Sequence, residues 1–289
     1  MRATLLHQPG TGGNDLSTEH LLEELAKAGL ASDHHSLADP DWCETLGGTE
    51  LAIVAGGDGT VARVLTGLKD RRVKLAILPL GGANNIATSL GYPEADLDRI
   101  IAALEHAHEA QIRVCEARGR WGIRRFVEAV GIGALARSTS ALQDERLVGD
   151  DKRRIGREAL AGVLREMPPA RAAFHFDGEE LPEPALLVEC MNTAMIGPNL
   201  PLGPDTSAGS DALSLVWLPE RSRGAMLDWL QAPESGPPPV ERRSVSRVAI
   251  DAHDEPLRID DKTVEWDGSR ITLTVLDTPV TVLVPGALR

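Results

Sequence analysis

Two short apolar runs, each emptying into glycine, limit how this 289-residue chain can fold. Leu51 to Ala55 reads as a buried strand, followed at once by Gly56-Gly57-Asp58-Gly59-Thr60 and a helix over Val61 to Lys69. Leu75 to Leu80 repeats the pattern and ends in Gly81-Gly82-Ala83-Asn84-Asn85-Ile86-Ala87. Strand, glycine turn and helix in succession point backbone N–H groups and the positive end of a helix at an anion. A side chain in such a turn would hold the backbone away from a phosphate or forbid a positive φ. One turn of this kind could serve geometry alone, since glycine is the commonest turn residue. Two consecutive strands ending this way place both turns on the carboxyl edge of one parallel sheet, where open α/β sheets bind ligands. The pair points to phosphate or nucleotide binding. Asp58 is itself an anion, so it holds the turn, accepts a substrate or ribose hydroxyl, or reaches a metal.

The flanking sequence supports an alternating α/β unit. Arg2 to His7 reads as a first strand, and Ser17 caps a helix whose apolar face is Leu21, Leu22, Leu25 and Ala26. Ala31 to Leu37 reads as a second strand, Trp42 to Leu46 as a short helix, and Ala95 to about His108 as a closing helix. That alternation predicts a doubly wound, mostly parallel sheet. From about Gln111 the texture changes. Gln111 to Arg118 and Arg124 to Val130 read as hairpin strands, and Lys152 to Glu166 as a helix stopped by Pro168-Pro169. Six further short strands, 172–176, 185–192, 213–218, 246–251, 257–259 and 271–276, predict a β-rich second domain. The proline-rich stretch Ala232 to Val240 reads as a loop.

Charge narrows the partners. Thirty Lys and Arg against 43 Asp and Glu give a net −13, which argues against nucleic-acid binding and broad adhesion to anionic lipid. Cys43, Cys115 and Cys190 show neither disulfide nor zinc spacing. The histidines His34-His35 and His106/His108 lack a third ligand nearby in sequence and share no helix face. The mixed run Asp144 to Arg154 reads as a solvated loop, with a lid as the alternative. No run approaches the ~18 apolar residues of a membrane span, and no signal-peptide core is evident, so a cytoplasmic protein is expected.

The two glycine turns, with Pro79-Leu80 before the second and Thr88-Ser89-Leu90-Gly91-Tyr92-Pro93 after it, resemble the diacylglycerol kinase catalytic family, and the bacterial YegS-like lipid kinases within it. Phe126 to Gly133, Asn192, Gly203-Pro204, Ser210 to Leu213, Ile259 to Lys262 and Val280 to Pro285 echo further family segments in order. The resemblance implies an NAD kinase/diacylglycerol kinase-like fold. Residues 1–116 would form the nucleotide-binding α/β domain, rejoined by 277–289, and 117–276 a sandwich-like substrate domain. It implies ATP and Mg²⁺ as cofactors. Gly56, Gly57, Asp58, Gly59 and Thr60 would cradle nucleotide phosphate, and Gly81, Gly82 and Asn84 would line the facing wall. Asp211, with backbone carbonyls of Ala208 and Leu213, falls where the family holds a structural Mg²⁺, an oxygen-only set suited to a hard cation. The acceptor would be a hydroxyl of diacylglycerol or a related lipid, and Asp260 or Asp261 the base.

The chain also departs from that family. Lys262 stands where the family has its Glu base, Ala62-Arg63 replaces Asn-Glu, and Gly82 and Asn85 replace Thr and Asp. Each change removes a polar or charged group while the shaping turns survive, so fold and phosphate binding are more firmly indicated than catalysis. Two alternatives therefore stand beside a lipid kinase: a catalytically inactive nucleotide-binding homologue, and a kinase of a soluble alcohol. The sequence leaves homodimerisation and transient peripheral contact with a membrane open.

Overall fold

In the computed structural model, residues 2–10, 16–142, 149–252 and 255–286 are described. The chain opens with strand β1 (Ala3–His7), helix α1 (Thr18–Lys27), β2 (Ser32–Ser36), β3 (Leu51–Gly56), α2 (Asp58–Gly67), β4 (Lys74–Pro79), α3 (Asn85–Ser89), α4 (Leu97–Ala103) and β5 (His108–Ile112). It continues through β6 (Cys115–Gly119), β7 (Gly122–Phe126), β8 (Ala129–Gly133), α5 (Ala134–Leu142), α6 (Gly149–Glu166), β9 (Ala172–Phe176), β10 (Glu179–Glu180), β11 (Ala185–Met191) and β12 (Leu213–Pro219). The last elements are α7 (Arg223–Trp229), β13 (Glu241–Val245), β14 (Val248–Ala252), β15 (Leu257–Ile259), β16 (Lys262–Val264), β17 (Ile271–Val275) and β18 (Val280–Val284).

The chain folds into two compact units, residues 1–112 with 278–289, and residues 113–277. The first unit holds one sheet in the order β2-β1-β3-β4-β18-β5. Its strands run parallel except β5, which pairs antiparallel with β18. Strand β3 is buried along its whole length and β4 over its central residues, as expected of strands covered on both faces. Ser17 caps α1, its Oγ accepting from the His20 N–H at 3.2 Å, and Leu21 and Leu25 fill the core beneath. The Tyr92 hydroxyl ties two strands together: it accepts from the Ile77 N–H at 2.8 Å and donates to the Leu283 carbonyl at 2.6 Å.

The second unit holds two six-stranded antiparallel sheets, β10-β9-β14-β17-β6-β7 and β13-β12-β11-β8-β15-β16. One core lies between them, built from residues such as Phe126, Ile132, Phe174, Val188, Leu215 and Ile250. The outer face of the second sheet is covered by helices, with Leu160, Leu164, Met226 and Trp229 packed on Leu187, Val216 and Leu218. This is a sandwich with a helical layer on one side.

Several local expectations need correction. The helix expected to reach His108 ends at His106, because His108 starts β5 opposite Val284. The strand expected over Gln111 to Arg118 breaks at Arg113-Val114, where the Arg113 N–H turns to the Ala208 carbonyl at 2.8 Å. The strand expected over Arg124 to Val130 breaks at Val127-Glu128, whose N–H groups turn to the Asp260 carboxylate. Helices α3, α5 and α7 and strand β13 are additional to the elements read from the sequence. Of the run expected to be a solvated loop, residues 144–148 lie outside the described residues, and α6 begins at Gly149.

Candidate functional site

In the first unit the two glycine turns meet backbone to backbone. The Leu80 N–H donates to the Gly56 carbonyl at 3.0 Å, extending the β3–β4 pairing into the turns. A Cβ on Gly81 would lie 2.6 Å from the Gly57 Cα and 2.8 Å from Asn84 Oδ1, so the turns leave no room for a side chain there. Gly57 is the N-cap of α2 in extended conformation, and α2 starts at Asp58, three residues before the sequence suggests.

Asn84 organises the second turn. It takes a left-handed conformation (φ 53°, ψ 41°), which asparagine tolerates better than most residues. Its Oδ1 accepts from the Gly81 N–H at 2.9 Å, and its Nδ2 donates to the Gly81 carbonyl at 2.7 Å. Asp58 joins the turns, its Oδ1 accepting from the Ile86 N–H at 2.9 Å in the first turn of α3. The carboxylate thus neutralises part of a helix terminus and fixes one turn to the other. Of the roles open to Asp58 in the sequence, holding the turn is the one this geometry displays. Arg63 is exposed on α2.

The second unit holds the remaining candidates. Asp260 has φ 52° and is buried, and its carboxylate takes the N–H groups of Val127 (3.1 Å to either oxygen), Glu128 (2.8 Å) and Ala129 (3.3 Å). Burial pushes its pKa up to about 6, against the lowering pull of those three donors and of Arg258. Asp261, beside it in the β15–β16 turn, is exposed, as is Lys262 at the start of β16. Asn192 fixes the same backbone from the other side, its Nδ2 donating to the Val127 carbonyl at 2.7 Å and the Arg113 carbonyl at 2.9 Å.

Beneath that turn sits an ion pair that the linear pattern conceals. Glu189 and Arg258 lie in register on either side of Gly131 across three neighbouring strands. Arg258 Nη2 reaches Glu189 Oε2 at 2.7 Å, and Nη1 donates to the Asp260 carbonyl. Burial raises the pKa of the Glu189 carboxyl and Arg258 opposes the rise. Glu189 Oε1 and Arg258 Nε are buried without hydrogen-bond partners.

Asp211 is exposed, in the loop before β12. Ala208, expected beside it as a carbonyl ligand, already receives the Arg113 N–H, and Arg113 Nε donates to the Gly209 carbonyl at 2.9 Å. Leu213 lies in β12 opposite Val245. A single exposed carboxylate with a guanidinium bonded into the same loop is a poor donor set for a divalent cation, so Asp211, Ala208 and Leu213 do not fit a structural Mg²⁺. Among the described residues no three His, Cys, Asp or Glu side chains converge as metal ligands. The same loop borders a cavity of about 360 Å³ lined by Thr206, Ser207, Ser210, Leu213, Ser214 and Arg242.

The chain as a whole is similar to known proteins. The model of the diacylglycerol kinase catalytic domain matches residues 10–117, which contain both glycine turns. The chain is 26% identical to a diacylglycerol kinase of Bacillus subtilis over 232 residues, covering 75% of this chain and 73% of that protein. It is 29% identical to a probable lipid kinase, YegS-like, of Chromohalobacter salexigens over 240 residues, 78% of this chain and 74% of that one. A crystal structure of a diacylglycerol kinase from Bacillus anthracis superposes with a TM-score of 0.69 at 19% identity, covering 100% of this chain and 98% of the other. At that identity the superposition shows the fold. Among the described residues, no helix is long and apolar enough to cross a membrane.

Proposed function

We propose that this chain is a divergent member of the diacylglycerol kinase catalytic-domain family and that it transfers the γ-phosphoryl group of ATP to a hydroxyl of diacylglycerol or a related lipid alcohol. The observation that carries this reading is the pair of touching glycine turns at the carboxyl edge of β3 and β4, locked by Asp58 and Asn84. Phosphoryl transfer needs little covalent help from the protein; it needs the phosphates held in place and their charge offset. Backbone N–H groups in the first turn of α2 and in the Gly81–Asn84 turn would contact the phosphates of ATP, which would arrive as its Mg²⁺ complex.

Between the two carboxylates expected to act as base, we assign the role to Asp261. Asp260 commits its carboxylate to three backbone N–H groups, so drawing it away would leave buried donors without a partner. In this reading Asp260 positions the turn and the exposed Asp261 takes the acceptor proton. The assay is ATP consumption with identification of the product, run with diacylglycerol, monoacylglycerol and soluble alcohols, the last because serine, threonine and arginine side chains help line the cavity beside β12. Asp261→Ala is expected to lower kcat at least about 100-fold, on the order of a lost general base, with nucleotide affinity retained. Wild-type activity in Asp261→Ala would remove the assignment.

Lys262 favours a second reading. A cation stands where the family resemblance puts a carboxylate base, and it is exposed at the start of β16. Nucleotide binding with no product from any acceptor in the panel would support an inactive nucleotide-binding homologue.

A further inference from the structure

Arg113 bonds to two widely separated stretches of backbone, 208–209 and 276–277. Its N–H donates to the Ala208 carbonyl at 2.8 Å, Nε to Gly209 at 2.9 Å, and Nη1 to Leu276 at 3.0 Å and to Asp277. Its own carbonyl accepts from Asn192 Nδ2 at 2.9 Å. One residue thus joins the beginning of the second unit (113), its end (276–277), the strand-end Asn192 and the 208–209 turn. Carbonyl oxygens carry partial negative charge, and those of an irregular turn have no strand partner to absorb it. A divalent cation is one solution to that problem. A guanidinium is another, since its planar fork of N–H donors carries a permanent charge.

The two solutions compete for one place. A guanidinium bonded to Gly209 repels a divalent ion at Ala208, and Asp211 alone is too little anionic charge to overcome the repulsion. We propose that Arg113 is the built-in cation of this turn, and that the second unit folds and holds the 208–213 loop without a bound divalent metal. This inference does not depend on the chain being an active kinase. It concerns the metal assigned to the loop, separate from any Mg²⁺ that travels with ATP.

The test uses the full chain without nucleotide. Wild-type protein is purified, passed through gel filtration, and its metal content measured. Its melting temperature is then compared in EDTA and in MgCl₂ at matched ionic strength. No stoichiometric metal and equal melting temperatures are expected. Arg113→Met removes three charged hydrogen bonds, so its melting temperature is expected to fall by roughly 6–12 °C. Added Mg²⁺ is not expected to restore it. Arg113→Lys keeps the charge but loses the fork, and is expected to fall between the two. Stoichiometric Mg²⁺ in the wild type, or a fall of several degrees in EDTA that Mg²⁺ reverses, would overturn the proposal. So would Arg113→Met melting with the wild type. Because the wild-type arm stands alone, an Arg113→Met protein that does not fold leaves the question decidable.

Discussion

Replacing Arg258 by Met offers a stringent check on how the second unit is built. Arg258 and Glu189 are 2% and 0% exposed at the side chain, and their charged atoms are 2.7 Å apart. They meet only because Gly131 between them has no side chain, since a Cβ there would overlap the Glu189 carboxylate. Removing one partner of such a pair leaves an uncompensated buried charge, at a cost of about 3–5 kcal/mol. That is a large share of the roughly 5–15 kcal/mol that holds a typical domain folded. Two buried polar atoms of the pair already lack partners, so the pair itself adds little net stability over an apolar one. Glu189→Leu with Arg258→Met is therefore expected to recover most of the loss.

The pH dependence carries an independent signature. Burial already holds the Glu189 carboxyl above its ordinary 4.5, and without Arg258 it rises further. The folded variant then keeps a proton that the unfolded chain releases, so its stability is greatest below about pH 4.5 and declines as pH rises above that. The deficit against wild type should grow over the same range. Urea unfolding followed by tryptophan fluorescence would measure it, because Trp121, Trp217, Trp229 and Trp266 lie in the second unit and only Trp42 in the first. An Arg258→Met midpoint equal to wild type at about pH 7, or a deficit equal at about pH 4.5 and pH 8, would refute the reasoning.

Other substitutions test the first unit. Gly81→Ala puts a Cβ 2.6 Å from the Gly57 Cα and must push the turns apart; calorimetric titration with ATP is expected to show affinity reduced more than about tenfold, near 1.4 kcal/mol. Asp58→Ala leaves the Ile86 N–H without its acceptor, with an expected stability loss of about 1–3 kcal/mol in urea unfolding and weaker ATP binding. Tyr92→Phe removes the hydroxyl that accepts from Ile77 and donates to Leu283. It is expected to cost about 1–3 kcal/mol by the same assay, with faster hydrogen exchange at the Ile77 amide.

The parallel sheet was legible because β3 and β4 are continuous apolar runs punctuated by glycine, a signal that local pattern carries in full. The glycine turns could be found the same way, but their mutual contact could not. Gly57 and Gly81 are adjacent only through strand pairing, and nothing near Asn84 announces that it will be left-handed. The residues of the second unit read as β-rich, and the family resemblance added the sandwich-like arrangement that its two sheets adopt. Its decisive polar contacts join residues 79 to 164 positions apart, as for Arg113, or 69 apart, as for Glu189 and Arg258. In sequence, Arg258 follows Leu257 and precedes Ile259 like any outward-facing residue of a short strand. Its burial comes from the helical layer laid over that face of the sheet. Asp260 shows the opposite case. It stands out in the sequence as a carboxylate at a chemically suggestive turn, yet its oxygens are occupied by backbone.

The central claim is that the paired glycine turns hold ATP for transfer to a lipid hydroxyl. It is tested most directly by following the γ-phosphate of labelled ATP, with Mg²⁺, into the lipid fraction of mixed micelles containing diacylglycerol. Label in the lipid with wild-type protein, and its loss with Gly81→Ala, is the expected result. Label that stays in ATP for every lipid and soluble acceptor, together with a melting temperature unmoved by nucleotide, would contradict the account.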